Sequence, residues 1–354
     1  MQRGKWNAIT DVPGVKVGHV TLYDESGMGS ACTGVTALLP HDRNLFEEKV
    51  PAASFVLNGF GKSVGLIQVE ELGVIESPIM LSNTFSVGAV LEGTLQHMLA
   101  ENPAIGDSTS SLNIVVGECN DSYLNSMREL KVRANHAIEA IRNAEEGPFE
   151  QGAVGAGKGM VCFGRKGGIG SSSRTVPNEG EEVLTVGVLT LTNFGRADEC
   201  RIDEWLARNS TEIKSASRPL KISEEMEHEK PDGSIMIIVA TDAPLNDRQL
   251  KRLAKRASIG LGRTGSTVHN GSGDIIIAFS NAYTIPHKSE DVTNNYTVLR
   301  DDAPIMNKLF KAAIEATEEA VYQSMIHAQT TVGRKGRVVE RWLFDVESGA
   351  IQNK

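Results

Sequence analysis

Cysteine, paired histidine and clustered basic charge are all scarce in this chain, and each shortage removes a class of function. The four cysteines, Cys32, Cys119, Cys162 and Cys200, are scattered with no C-x-x-C pair, so no zinc-site spacing exists and they read as reduced thiols. The eight histidines fall singly, without an H-E-x-x-H or H-x-H pair, which leaves metal catalysis without support. No stretch approaches the roughly 20 apolar residues of a membrane span. Met1 to Asn7 carry charge with no apolar run behind them, so a cytoplasmic protein without a membrane partner is expected. A formal net charge of −9 argues against nucleic acid as a partner, because a phosphate-binding surface needs clustered Lys and Arg. The one basic cluster, Arg248, Lys251, Arg252, Lys255 and Arg256, has helical spacing and reads as a solvated helix face.

What is present is an ordinary apolar fraction, 40% over 354 residues, and abundant glycine, with 35 residues set at the ends of short apolar runs. Buried strands are expected at Ile114 to Val116, Val183 to Leu191, Ser234 to Ala240 and Asp274 to Phe279. Helices are expected at roughly Ser86 to Ala100 and Tyr123 to Ala144. A third follows Pro244-Leu245-Asn246, with Leu250, Leu253, Ala254 and Ala257 on one face, and breaks within Gly260 to Gly265. A fourth starts with Asp302 as N-cap and Pro304 in the first turn.

The composition changes between residues 211 and 233, where Lys214, Lys221, Glu224, Glu225, Glu227, Glu229 and Lys230 leave little to bury. This reads as an exposed linker, and it ends abruptly in Asp232-Gly233-Ser234 and the apolar run that follows. A serine hydroxyl alone is a weak nucleophile. If the Gly233–Ser234 bond breaks, Ser234 gains an α-amine with a pKa near ~8, and one residue then carries both nucleophile and base. Glycine at 233 offers backbone angles closed to other residues, which would make strain at that bond tolerable.

Asn270-Gly271-Ser272-Gly273-Asp274 leads into a second apolar run, and Ser272 and Asp274, two apart in an extended chain, share a face. Both could reach the new amine. In isolation the same residues make an ordinary turn with a capping Asp. Glu118 and Asn193 stand at other strand ends, the carboxylate suited to a substrate ammonium and the amide to a developing oxyanion, although each is also a common turn former. Gly152 to Gly159 approaches a phosphate loop but has Gly159 where Ser or Thr must bind magnesium. Leu57 to Ser63 has Val56 in place of the first glycine, so neither supports nucleotide binding.

Taken together, these segments resemble the DmpA-type peptidases, the family of L-aminopeptidase/D-esterases and β-peptidyl aminopeptidases. The resemblance runs from Ile9-Thr10-Asp11-Val12-Pro13-Gly14 through Asn58-Gly59-Phe60-Gly61, Gly152 to Ser173 and Ala240-Thr241-Asp242-Ala243-Pro244 to the segments at Ser234 and Ser272. It implies an α+β fold, a four-layer αββα sandwich like the N-terminal-nucleophile hydrolases with different strand connectivity. It also implies a single domain over residues 1–354, cut between Gly233 and Ser234 into an α piece of residues 1–233 and a β piece of residues 234–354. Ser234 maps to the nucleophile, Ser272 and Asp274 to its partners, Asn193 to the oxyanion residue and Glu118 to the residue at the substrate's amino end. Cys119-Asn120-Asp121 departs from the family, which usually offers an aromatic ring or hydroxyl two residues past the glutamate. The resemblance implies no cofactor, a small peptide or aminoacyl amide as substrate, and a homo-oligomer, a tetramer of processed αβ pairs. The alternatives are an acyltransferase of the ornithine acetyltransferase type, whose members cut before threonine, and an unprocessed binding protein.

Overall fold

The strand that begins at Ser234 is apolar on both faces, so it has to be covered twice. The computed structural model describes residues 1–24, 31–178, 183–209, 213–215 and 233–346. The linker expected at 211–233 lies, apart from 213–215 and Gly233, outside the described residues.

The longer strands are β1 (Lys16–Tyr23), β2 (Cys32–Leu39), β3 (Glu48–Gly59), β4 (Ile79–Asn83), β5 (Val115–Cys119), β6 (Ile169–Pro177), β7 (Val183–Asn193), β8 (Ser234–Thr241) and β9 (Gly273–Ser280). They form a smaller sheet, ordered β1-β2-β4-β5, and a larger one, ordered β3-β9-β8-β7-β6 with short strands along β3. The helices are α1 (Leu66–Leu72), α2 (Val87–Glu101), α3 (Ala134–Arg142), α4 (Ile202–Asn209), α5 (Asp247–Arg263) and α6 (Pro304–Ile326).

Period-two alternation decides which layer each side chain joins. Met236, Ile238 and Ala240 of β8 and Ile275, Ile277 and Phe279 of β9 meet Leu38, Ile79, Leu81 and Val115 of the smaller sheet. The intervening Ile235, Ile237, Val239, Ile276 and Ala278 turn the other way, onto Leu250, Leu253 and Ala257 of α5 and Leu309, Ala312, Ala313 and Ala316 of α6. Val20, Val35, Ala37, Met80 and Val116 on the outer face of the smaller sheet pack under Val87 and Val90 of α2 and Ala137, Ala140 and Ile141 of α3. The layers therefore run helix, sheet, sheet, helix, the expected αββα sandwich. Among the described residues no helix is long and apolar enough to cross a membrane.

Three of the expected strands appear extended by one or two residues, the one expected at Ile114 to Val116 is shifted to Val115–Cys119, and two helix boundaries differ. The helix expected over 123–144 begins only at Ala134, because Leu130 is left-handed at φ 47° and the carbonyl of Leu124 accepts from Arg334 N across the chain. The last helix is capped at Ala303 rather than Asp302, whose carboxylate pairs with Arg300 instead. The basic helix ends at Arg263, having run through Gly260 and Gly262.

Candidate active site

Ser234 is the first residue of β8 and sits between Asn193, its antiparallel partner at the end of β7, and Gly273, its parallel partner at the start of β9. All three stand at one end of the larger sheet, so residues far apart in sequence meet there. The serine is buried, and its Oγ accepts from the backbone N–H of Asn120 at 3.4 Å. Asn193 turns its Nδ2 to the carbonyl of that same Asn120 at 2.8 Å, while its Oδ1 accepts from Val161 N at 3.0 Å. The Asn120 N–H thus reaches the hydroxyl, and the Asn193 amide, paired across the strands with Ser234, keeps a second N–H beyond its bond to Asn120.

Ser234 shares the inter-sheet face with Met236 and opens into a cavity of about 250 Å³ lined by Phe60, Lys62, Thr84, Glu118, Asn120 and Gly271. Glu118 is buried in its wall, with one oxygen accepting from Lys62 N at 2.8 Å and the other from the Thr84 hydroxyl. A rigid carboxylate near the nucleophile suits a substrate ammonium. The loop carrying Phe60 crosses close over β9: a Cβ on Gly273 would lie 2.8 Å from the Phe60 carbonyl oxygen. Only glycine leaves that space.

Asp274 shares the opposite face with Ile276. Its Oδ1 accepts from the Ser272 hydroxyl at 2.9 Å, as their spacing predicts, and its buried Oδ2 has no hydrogen-bond partner among the described residues. Burial raises the Asp274 pKa to about 6, against the Ser272 hydrogen bond and the nearby His269, which lower it. Ser272 lines a second, small cavity together with Phe194, Glu199, His269 and Gly233. The Gly233–Ser234 junction thus has the alcohol on one side of the sheet and the carboxylate on the other, and Gly233 borders both cavities. Asn58 pins the loop between them by donating to the carbonyls of His269, Asn270 and Ser272 at 3.0, 3.1 and 2.6 Å.

The reason for glycine at 233 differs from the expectation. Gly233 is not among the residues with positive φ, so no left-handed backbone is needed. What matters is the missing Cβ, which would stand 2.9 Å from Cβ and 3.0 Å from Cα of Phe194. Asn193 pairs with Ser234 across the strands, Glu118 lines the cavity Ser234 opens into, and Ser272 and Asp274 flank Gly273, the parallel partner of Ser234. Sequence reasoning missed Asn120 as a donor, and Lys62 and Thr84 as the groups that hold Glu118. The Asn58-Gly59-Phe60-Gly61 block was the one signal for that wall of the cavity. Cys119 also neighbours Ser234, but burial pushes its thiol pKa well up, so it is no rival nucleophile.

Known proteins resemble this chain over nearly its whole length. The model of peptidase family S58 matches residues 7–339. The beta-peptidyl aminopeptidase BapA of Sphingosinicella microcystinivorans is 38% identical over 99% of this chain and 89% of its own length. The crystal structure of the PH0078 protein from Pyrococcus horikoshii OT3 superposes with a TM-score of 0.84 at 48% identity, covering 96% of this chain and 92% of that one. The L-aminopeptidase D-Ala-esterase/amidase of Ochrobactrum anthropi, described as a prototype for the serine aminopeptidases and a new variant among the Ntn hydrolase fold, gives 0.81 at 31% identity with the same coverage of each chain. A match over nearly the whole length, on the sandwich these residues build, makes this chain a member of peptidase family S58 and a hydrolase of the aminopeptidase kind.

Proposed function

We propose that the chain cuts itself between Gly233 and Ser234 and then releases amino-terminal residues from small peptides, amides or esters through an acyl-enzyme on Ser234. The observation that carries this reading is the position of the Ser234 hydroxyl. It opens the β8 strand in reach of the Asn120 N–H, with Asn193 as its partner across the strand pair, and faces a cavity whose wall holds the Glu118 carboxylate.

In the first reaction Ser234 Oγ attacks the Gly233 carbonyl carbon. The C–N bond breaks, its nitrogen takes up the hydroxyl proton, and the chain is joined through an ester. Water cleaves that ester, leaving a carboxylate on Gly233 and a free amine on Ser234. Asp274, approaching from the other face of the sheet, accepts a hydrogen bond from this neutral amine and leaves it able to act as base, and Ser272 orients the carboxylate.

In the second reaction a substrate ammonium binds Glu118, and Ser234 Oγ attacks the substrate's first carbonyl while its proton passes through the amine to the leaving group. Asn193 and the Asn120 N–H stabilise the oxyanion, an effect typically of about 2.7–4 kcal/mol per donor. Water then releases the acyl group. A cavity of about 250 Å³ is at the small end of ligand sites, which run from about 300 Å³, so short substrates fit best. The names of the relatives extend the range to β-peptides and D-residue amides. In the same reading the protein acts in the cytoplasm as a homo-oligomer of processed αβ pairs and needs no cofactor.

Intact-mass measurement of purified protein tests this. A fragment beginning at Ser234 in the wild type and a single uncut chain in Ser234→Ala are expected. Two fragments from Ser234→Ala, or an uncut wild type that still hydrolyses aminoacyl amides, would remove Ser234 from the mechanism. Adding a second amine separates hydrolysis from acyl transfer, since a transferase would yield the new amide in place of the free acid.

A further inference from the structure

Lys166 is completely buried, and none of its contacts is a carboxylate ion pair among the described residues. Its three ammonium hydrogens go to three backbone carbonyls instead: Gly157 at 3.0 Å, Met160 at 2.7 Å and Gly167 at 2.7 Å. The glycine-rich segment that resembles a phosphate loop is part of this cage. Gly168, at φ 146°, closes the turn, with its N–H on the Thr192 hydroxyl and its carbonyl accepting from Thr192 N. An isolated buried charge is costly, and an apolar side chain would fill the same volume without that cost.

One peptide group connects this lysine to the catalytic end of the sheet. The Met160 carbonyl accepts from Lys166 Nζ, and the N–H of the same peptide plane, that of Val161, donates to Asn193 Oδ1 at 3.0 Å. A charge on the carbonyl side of an amide increases the acidity of its N–H, and hydrogen bonds in series polarise one another by roughly 10–30% per bond. The series continues through the Asn193 amide to Nδ2, which stands across the strand pair from Ser234.

We propose that Lys166 is a positioning residue: acting through the Met160–Val161 peptide group, its charge fixes and polarises the Asn193 amide that receives the oxyanion. The inference rests on the proposed role of Asn193. It also accounts for a buried cation that packing alone does not require. Burial lowers the Lys166 pKa to about 7. The groups facing it are the Cys32 and Cys162 thiols, Lys158 and the buried Asp121, whose own pKa burial raises to about 7. Protonated Lys166 polarises the amide, and the effect fades as pH rises through that range.

The test compares the wild type with Lys166→Met and the more polar Lys166→Gln, using processed full-length protein and active-site titration to count competent sites. The expected result is a fall of about 10- to 100-fold in kcat per competent site on an aminoacyl amide, with KM within twofold of wild type. The ratio of wild-type to variant kcat is further expected to fall above about pH 7, the Ser234 amine being common to all three proteins. Retention of kcat within threefold, or a parallel change of kcat and KM, would overturn the proposal. If neither variant folds, the Val161 amide resonance of the wild type decides, and a resonance that does not move between pH 6 and 8 overturns it. A wild type that neither cuts itself nor hydrolyses the amide would instead remove the functional reading on which this one rests.

Discussion

Ser234 and Asp274 lie on adjacent parallel strands yet point to opposite faces of the larger sheet, the serine with Met236 toward the smaller sheet and the aspartate with Ile276 toward the helices. The two side chains therefore flank the start of β8 from opposite sides of the sheet and do not compete for the same space.

This separation predicts a pH dependence for the uncut chain. The folded-state pKa of Asp274, about 6, is above its ordinary 3.8 because burial disfavours the charged form. The folded state then binds the extra proton, so stability falls as pH rises from about 4 to 6 and stays lower above that. In a Ser234→Ala background, Asp274→Asn should remove this slope and raise stability at pH 7 by up to about 3 kcal/mol, from about 1.4 kcal/mol per pKa unit. Thermal melts across pH 4 to 8 measure it. A slope identical in both proteins would show that Asp274 ionises freely.

Replacing Asn193 with Ala removes the amide that faces Ser234 across the strand pair, its bond to the Asn120 carbonyl and the bond that Val161 makes to it. Self-cleavage and aminoacyl-amide hydrolysis should each slow by about 10²- to 10³-fold. Time courses on denaturing gels and steady-state rates report the two steps separately. Rates within threefold of wild type would exclude the amide from the oxyanion site.

Glu118 faces the cavity with both oxygens already fixed by Lys62 N and Thr84, which makes it rigid as well as charged. Glu118→Gln keeps the shape and removes the charge. The kcat/KM on substrates with a free amine should drop about 10- to 100-fold, the loss of a hydrogen bond to a charged group. The analogue lacking that amine should be affected less than threefold. An equal loss on both substrates would assign Glu118 a structural role alone.

Asn58→Ala deletes the side chain that ties three carbonyls of residues 269–272 to β3. The expected cost is about 1–3 kcal/mol in denaturant unfolding of the uncut chain. Ser272 should also become more accessible to hydrogen exchange. Unchanged stability and protection would mean that the turn holds itself.

Much of the arrangement is legible from local pattern. A short run of β-branched apolar residues reads as a doubly covered strand, and Ile235 to Ala240 and Ile275 to Phe279 are such runs. Two-residue spacing placed Ser272 and Asp274 on one face, and they hydrogen-bond there. The segment from Tyr123 was less legible because its apolar residues are buried by a turn rather than a helix, with Leu124 packed against Cys32, Val161 and Val339. Periodicity records burial. It does not record which partner provides it.

The chain's own order thus determined a buried strand headed by Gly233-Ser234, and a neighbouring one headed by Ser272 and Asp274, because side-chain alternation and strand propensity act over a few residues. The tertiary structure alone brought the Asn120 N–H to Ser234 across 114 positions of sequence, and set Lys62, Thr84 and the Lys166 cage around the same end of the sheet. Those contacts depend on how two sheets stack and which strands become neighbours. That is fixed by the burial of whole faces, which no local stretch of residues encodes.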